Sequence, residues 1–389
     1  MKTDKGKLVR ITTVPISLDK LIEGQMSYMK DHFEVLAISS SGETLDKVGK
    51  KEGIATLAVE MTRKITLIKD LSAVFSLVKI FRQYKPQIVH THTPKAGIVG
   101  MLAAYIARVP VRMHTVAGLP LLESQGLKRL LLNTVEKLTY VFATRVYPNS
   151  FVLKEIILKN RFCKLEKLKV IANGSSNGIN TFYFNPELYS EEDKESLKRS
   201  LGICKNEFVF IFVGRLVSDK GLNELINAFQ KLTSQHTNVK LLLVGPLEDE
   251  LDPLEEQTKA VIQNNQQITA LGFKSDVRPY FSIADALVFP SYREGFPNVV
   301  MQAGAMGLPS IVSNINGCNE IIEHNKNGII IPVKNTTALF NSMNQLLNNS
   351  KLRTDLEKNA RAMICSRFEQ KLVWDALLTE YKNQIANVQ

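Results

Sequence analysis

Apolar residues recur along this chain in two rhythms, and the two rhythms alternate. Phe208 to Val213 is an unbroken apolar run, the mark of a strand buried on both faces. Asp70 to Tyr84 instead carries Leu71, Val74, Phe75, Leu77, Val78 and Phe81 at helical spacing, and Lys85-Pro86 stops it. In the first half the pattern predicts strands at Lys7–Val14, Phe33–Ile38, Ile54–Val59, Gln87–His90, Val111–Thr115 and Val146–Pro148. Helices are predicted at Asp70–Tyr84, Ala96–Ala107 and Lys128–Phe142. Residues 172–206 break the alternation: Asn173-Gly174-Ser175-Ser176-Asn177-Gly178 is rich in turn formers, and Glu191–Lys205 is a charged, exposed helix. The alternation then restarts. Strands are predicted at Phe208–Val213, Lys240–Val244, Ile268–Leu271, Ala286–Phe289, Ser310–Val312 and Gly328–Ile331. The helices between and after them are Leu222–Leu232, Glu255–Gln263, Val277–Ala284, Val299–Met306 and Ala338–Leu347. The tail Asp355–Asn387 is helical, with an apolar face of Phe368, Leu372, Val373, Leu377 and Tyr381.

Strands separated by helices imply βαβ units and parallel sheets. The expected class is therefore α/β, with two doubly wound domains facing one cleft. The expected divisions are 1–185, 186–367, and a C-terminal helix, 368–389, that packs back towards the N-terminal domain.

Composition narrows the picture. Among 389 residues, 44% are apolar and 22% charged, which excludes a chain that is disordered as its main state. Cys163, Cys204, Cys318 and Cys365 are scattered, with no Cys-x-x-Cys pair, so neither a disulfide framework nor a structural zinc site is expected. Lone thiols suit a reducing cytosol, and no signal peptide is read at the start. The best uncharged apolar stretch, Ala96–Ala107, is 12 residues long, against the roughly 20 that a spanning helix needs.

The charge becomes informative once it is divided. Residues 1–190 hold 28 Lys+Arg and 15 Asp+Glu, a net of +13; residues 191–389 hold 21 and 23, a net of −2. The first half thus faces a polyanion (nucleic acid, anionic lipid or a phosphorylated substrate) or is simply a solvated basic surface. No aromatic platform or recognition motif accompanies it, so nucleic acid is not expected.

In doubly wound sheets ligands bind beyond the carboxyl ends of strands, and that rule selects two loops. After Phe208–Val213 comes Gly214-Arg215-Leu216-Val217-Ser218-Asp219-Lys220-Gly221, then a helix. A glycine permits close approach, and Arg215 and Lys220 stand at a helix N-terminus, so a diphosphate fits there. An ordinary strand–helix turn with surface cations is the plainer reading. The loop after Ala286–Phe289 holds Glu294, the one acidic residue between Ala286 and Asn319. A carboxylate at the end of a buried strand needs a hydroxyl or cation partner. Asn298 onward opens a helix carrying Gln302.

Gly-Arg-x4-Lys-Gly, with Glu-Gly-Phe-Pro-Asn-x3-Gln-Ala starting 74 residues after Lys220, resembles the donor half of the retaining GT-B glycosyltransferases of family 4. The N-terminal half is similar to the members that build bacterial capsule, O-antigen and lipid-linked oligosaccharides. The residues that carry this are His90-Thr91-His92-Thr93-Pro94-Lys95-Ala96-Gly97, Val111-Arg112-x-His114-Thr115-Val116-x-Gly118-Leu119 and Val170-x-x-Asn173-Gly174. The resemblance implies a GT-B architecture of two Rossmann-like domains, an N-terminal one for the acceptor and a C-terminal one for a nucleotide sugar. It implies that Arg215 and Lys220 bind the nucleotide diphosphate, with Gly214 beside them, and that Glu294 holds donor-sugar hydroxyls. Backbone near Gly295, Phe296, Pro297, Asn298 and Val299 would approach the sugar and phosphates, and Gly272 and Phe273 would lie near the base. Gln302 stands where the family usually has a ribose-binding Glu. His114 would lie near the reacting carbon, and His92 and Lys95 would meet an acceptor phosphate. Two departures stand out. The family's Gly-Gly after the first strand is replaced by Pro15-Ile16-Ser17-Leu18, and its Asn-Gly-Ile-Asp turn appears as Asn177-Gly178-Ile179-Asn180.

The function this implies is a retaining transferase. It would move a hexose or N-acetylhexosamine from a nucleotide sugar, UDP-linked by expectation, to a polyprenyl-diphosphate-linked glycan. Asp-x-Asp, the usual metal-holding pair of metal-dependent transferases, is absent, so neither a metal nor another cofactor is expected. Lys154–Lys169 sets six basic residues against two acids among leucines and isoleucines, which suits an N-terminal domain resting on anionic lipid at the inner face of the cytoplasmic membrane. The rivals are a GT-B nucleotide-sugar epimerase and a non-catalytic lipid-binding scaffold on the same fold.

Overall fold

The computed structural model describes residues 5–62, 66–119, 121, 124–248, 250 and 252–388. The chain divides into two units, Met1–Gly178 with Gln370–Gln389 and Ile179–Glu369. These boundaries lie seven residues before 185/186 and two residues after 367/368.

In unit 1, strands β1 (Lys7–Ile11), β2 (Glu34–Ser39), β3 (Ala55–Ala58), β4 (Ile88–His92), β5 (Val111–Val116) and β6 (Arg145–Pro148) form a parallel sheet in the order β3-β2-β1-β4-β5-β6. In unit 2, β7 (Phe208–Val213), β8 (Val239–Val244), β9 (Ile268–Gly272), β10 (Ala286–Phe289), β11 (Ser310–Ser313) and β12 (Gly328–Ile331) form a second, ordered β12-β11-β10-β7-β8-β9. Counted within each unit the order is the same. The first strand is central and its neighbour is the fourth. Right-handed crossovers send the first three strands one way and the last three the other, so helices diverge where the first strand meets the fourth.

Alternation along the strands gives each sheet two buried faces. In unit 1, Val9, Ile11 and Val89 pack with Ala73, Leu77 and Phe81 of helix Leu67–Tyr84. Leu8, Ile88, Val111 and Met113 face the other way, onto Leu18, Met26, Leu377 and Tyr381. The last two belong to helix Gln370–Ala386, so the end of the chain packs on the first domain. This face is also polar. Fully buried Arg10 donates to Tyr381 Oη (2.9 Å) and Gln25 Oε1 (2.5 Å), and its Nη2 lies 2.7 Å from His92 Nε2. His90 bridges Tyr381 Oη (2.6 Å) and Thr115 Oγ1 (2.7 Å).

Two expectations are corrected. The strand from Lys7 ends at Ile11, because Pro15 opens a helix, Pro15–Leu21, at the position where proline's missing N–H does no harm. The tail is two helices, Ser350–Phe368 and Gln370–Ala386, interrupted at Glu369 where the chain leaves unit 2. In the basic stretch Lys154–Lys169, Lys159, Arg161, Lys164 and Lys169 are exposed, and two of its lysines also bond within the protein. Lys167 Nζ donates to the carbonyls of Tyr140, Val141 and Ala143 and closes the end of helix Gly126–Phe142, while Lys169 pairs with Glu380. Among the described residues no helix is long and apolar enough to cross a membrane.

Tyr381 gives a direct test of this packing. Replacing it by Ala removes a fully buried ring, worth about 3–5 kcal/mol, and takes a hydrogen-bond partner from Arg10 and His90. Tyr381→Phe removes only the hydroxyl and should cost about 1–3 kcal/mol. Urea unfolding followed by circular dichroism should rank the three proteins in that order. Equal midpoints for Tyr381→Ala and wild type would mean that helix Gln370–Ala386 is not part of the unit 1 core.

Candidate active site

Unit 2 has its candidate site where β7 and β10 lie side by side. After β7 the chain passes Gly214 and Arg215 and makes one tight turn, Ser218–Lys220. Gly221, at φ +73°, then opens helix Leu222–Thr233. A Cβ on Gly221 would stand 2.2 Å from the Pro290 carbonyl, so the loop after β7 rests directly on the loop after β10. Only glycine meets both demands at once. The contact sets Lys220 Nζ 2.5 Å from Glu294 Oε1. The two side chains are 15% and 17% exposed, enclosed but still open to a ligand. Ser291 Oγ donates to the same Oε1 at 2.9 Å. From the loop after β11, Asn316 Nδ2 donates to the carbonyls of Glu294 (3.2 Å) and Gly295 (2.5 Å) and fixes the turn that carries the carboxylate. Cys318 is buried nearby, and its thiol is pushed well up by burial and then by the Glu294 charge.

The other donor-side residues are distributed around this pair. Arg215 is 44% exposed and holds Glu248 at 3.0 Å, so it does not join Lys220. Arg293 holds Asp219 at 2.9 Å. Phe296 and Pro297 are buried, and Pro297 is the N-cap of helix Asn298–Ala305, to whose first turn it supplies no side-chain acceptor. Asn298 is exposed, and Val299 and Gln302 are half-buried on that helix. Gly272 ends β9 at φ +67°, and Phe273 beyond it is 73% exposed at the sheet edge.

This geometry has a definite chemical capacity. An ammonium has three donors, and Glu294 takes one, which leaves two for phosphate oxygens. The bonds from Lys220 and Ser291 both engage Oε1 of Glu294, so Oε2 can accept from a hydroxyl. A cation and a carboxylate held together can therefore grip the phosphate and hydroxyl ends of one small ligand.

In unit 1 the expected site residues are enclosed by side-chain partners. Its own switch point is closed by Thr13 and Thr93, whose Oγ1 atoms lie 2.7 Å apart; Thr93 adopts φ +84°. His114, expected near the reacting carbon, is 2% exposed. Its Nδ1 meets Thr91 Oγ1 at 2.8 Å, and the ring lies so close to Gly97 that a Cβ there would come within 2.5 Å. His92, expected at an acceptor phosphate, is buried against Arg10. The cavity beside it is about 20 Å³, room for one water and not for a phosphate. Lys95 pairs with Asp70 and is 10% exposed. The structure thus brings Lys220 and Glu294 together and puts His114, His92 and Lys95 in the packing of unit 1.

Residues 193–363 match the family described as Glycosyl transferases group 1, and residues 21–150 match Glycosyl transferase 4-like. The chain is 32% identical over 376 residues to the capsular polysaccharide biosynthesis glycosyltransferase CapM of Staphylococcus aureus, covering 96% of each protein. It is 30% identical over 332 residues to the UDP-Gal:alpha-D-GlcNAc-diphosphoundecaprenol alpha-1,3-galactosyltransferase of Escherichia coli, covering 84% of this chain and 83% of that protein. The chain belongs to the family 4 glycosyltransferases. Its fold is the GT-B fold. Over 97% of this chain and the whole of the other, it resembles the Anabaena Alr3699/HepE structure in complex with UDP, with a TM-score of 0.80 and 20% identity.

Three residues of the glycosyltransferase's site were not singled out from sequence: Ser291, Asn316 and Cys318. The rule that picked the loops after β7 and β10 also covers the loop after β11, and Asn316-Gly317 lies in it.

Burial leaves a mark on the glycosyltransferase's pH response. It lowers His114 to about 4 and holds His90 and His92 well below their ordinary value, the neighbouring charges adding to the effect on the last two. A histidine with a depressed folded pKa binds protons more readily when unfolded, so its share of stability is complete above about pH 6.5 and falls as the pH drops towards the folded value. For His114 alone the loss should reach about 2 kcal/mol at pH 5. Urea midpoints for unit 1 should fall accordingly between pH 7.5 and pH 5 in the sense given by the linkage. An unchanged midpoint would show that these imidazoles are not held neutral.

Proposed function

We propose that this glycosyltransferase moves a hexose or N-acetylhexosamine, with retention, from a UDP-sugar to a polyprenyl-diphosphate-linked glycan in the assembly of a bacterial surface polysaccharide or glycoprotein glycan. The observation that carries the donor half is the Lys220–Glu294 pair where β7 meets β10. The relatives support the rest. CapM is named for capsular polysaccharide biosynthesis, and the Escherichia coli relative is named for a UDP-linked galactose donor and a diphosphoundecaprenol acceptor.

The reaction follows from the charges involved. Breaking the bond from the anomeric carbon to the donor phosphate builds positive charge on the sugar and negative charge on the departing diphosphate. Lys220 is placed to meet the second charge, and Arg215 reaches the diphosphate by exchanging Glu248 for it. Glu294 Oε2 accepts from hydroxyls of the sugar and fixes its orientation. In this reading the proton of the attacking acceptor hydroxyl passes to the donor phosphate on the same face, so configuration is kept without an enzyme nucleophile. Two cations serve where other transferases use a divalent ion.

Lys220→Ala should lower turnover by about 10²–10³ while the fold survives, since a cation aimed at developing charge is worth about 2–4 kcal/mol. Near-normal turnover would remove Lys220 from the reaction. The donor is found by incubation with a panel of nucleotide sugars and membrane lipid extract, the product being weighed and its anomeric linkage read by NMR. An inverted linkage would overturn retention. Conversion of the donor alone into an epimer would favour the epimerase. Transfer should persist in EDTA; loss on chelation with recovery on adding magnesium or manganese would show that a divalent ion, rather than Lys220 and Arg215, stabilises the leaving diphosphate.

A further inference from the structure

Three consecutive side chains in the loop after β10 each meet a partner from the segment that follows β7. Tyr292 Oη donates to Glu224 at 2.7 Å. Arg293 donates to Asp219 Oδ2, from Nη2 at 2.9 Å and from Nε at 3.3 Å. Glu294 accepts from Lys220. The last two ties join residues the same 74 positions apart, and their polarity is reversed. Asp219 and Lys220 are adjacent in the chain, as are Arg293 and Glu294, so every charge has an opposite charge both beside it and across from it. The two pairs open on different space. Asp219 and Arg293 line a cavity of about 680 Å³ with Asp252, Glu255 and Lys334, and neither Lys220 nor Glu294 takes part in its lining.

The main chain does little to tie these loops together. β7 and β10 are paired at Phe210 with Ala286 and at Ile211 with Leu287. Beyond that, among the described residues, one backbone hydrogen bond crosses, from Tyr292 N to the Asp219 carbonyl at 2.9 Å. The approach of Gly221 to Pro290 limits how close the loops can come and does not stop them from parting. The Lys220–Glu294 pair is a poor tie in a working enzyme, because a diphosphate draws the ammonium and a sugar hydroxyl occupies the carboxylate. Asp219 is better placed. Its N–H donates to Asp252 Oδ2 at 2.6 Å, its carbonyl accepts from Tyr292, and its carboxylate holds Arg293. The Asp219 side chain is 18% exposed and that of Arg293 50%. An ion pair so open to water adds little to global stability, so what it supplies is position.

We infer that Asp219 and Arg293 are positioning residues for sugar transfer. Their ion pair keeps the loops after β7 and β10 in register while the donor engages Lys220 and Glu294. The inference deepens the function proposed above and rests on it for the parts that Lys220 and Glu294 play.

Asp219→Asn and Arg293→Gln each remove the charge pair and leave the backbone bonds. With the donor found by the nucleotide-sugar panel, each should lower kcat by about 10–100-fold, since a misplacement of about 1 Å can cost about 10²-fold. The donor KM should stay within about threefold, as expected for a loss confined to the transition state, and urea midpoints should not change. The double variant should be no slower than either single one, because both changes break one contact. Arg293→Lys should recover most of the rate. Hydrogen exchange read by mass spectrometry should show residues 290–297 exchanging faster in Arg293→Gln than in wild type. A raised KM at unchanged kcat would make Arg293 a donor-binding group and overturn the inference. Unchanged turnover, losses that add in the double variant, a lowered urea midpoint, or unchanged exchange over 290–297 would overturn it too. The exchange measurement needs no donor. Faster exchange there, in a protein whose wild type transfers sugar from no donor, would count against the proposed function and leave the hold of this pair on the loops standing.

Discussion

Both halves of this glycosyltransferase obey one constraint. A parallel sheet built outward in two directions from its first strand must set its first and fourth strands side by side. Lys220 and Glu294 are far apart in the chain and have no local reason to meet. They touch because β7 and β10 are neighbours and because Gly221 lets one loop lie on the carbonyl of Pro290. Unit 1 has the same strand order, yet closes the equivalent place with Thr13 and Thr93. The scaffold creates a position in both units, and side chains decide whether it carries charge. In the second, the loops after the first and fourth strands set Lys220 on Glu294, whereas in the first Lys95, two residues past Thr93, pairs with Asp70 of another helix.

The buried polar face of unit 1 is a different kind of commitment. Arg10 is enclosed by neutral partners, namely Gln25, His92 and Tyr381, with Glu52 contributing charge without a hydrogen bond to it. Burial lowers the pKa of this guanidinium, and the same burial keeps His90 and His92 neutral. Removing one member of such a network strands the others, which costs more than the network adds in net stability. The arrangement fixes how the sheet, helix Gln25–Met29 and helix Gln370–Ala386 meet, and leaves little freedom for alternatives.

Sequence reasoning read the sheets well because buried strands announce themselves. Phe208–Val213, Ala286–Phe289 and Gly328–Ile331 lie where the apolar runs place them. Helix Glu43–Glu52 went unpredicted because it is mostly charged and buries only Leu45, Val48 and Glu52. The donor loops were legible through spacing, since Gly-Arg-x4-Lys-Gly and the Glu-Gly-Phe-Pro-Asn run are local patterns. The surroundings of the histidines were not legible in the sequence for a physical reason. A polar residue in a strand can face a ligand or face a helix, and alternation alone does not say which. His114 shares its face with Val116 and Thr91 and lies under Gly97, which becomes visible only once β4, β5 and the covering helix are assembled. The partners of Arg215 and Lys95 were hidden likewise, because Glu248 and Asp70 come from other elements.

Helix Gln370–Ala386 belongs to the first domain but is made only after the whole of the second. The sheet and flanking helices of unit 1 are complete by Gly178, and the 191 residues of unit 2, Ile179–Glu369, come before Gln370. At about 5–20 residues per second the ribosome takes roughly 10–40 seconds to make them. Throughout that interval Arg10, His90 and the apolar groups around Leu8 lack Tyr381 and Leu377. The second domain can mature first, and the first is finished only once helix Gln370–Ala386 has been made. A nascent chain stalled short of Tyr381 is therefore a clear substrate for chaperones and proteases, even when its entire donor-binding half is already folded.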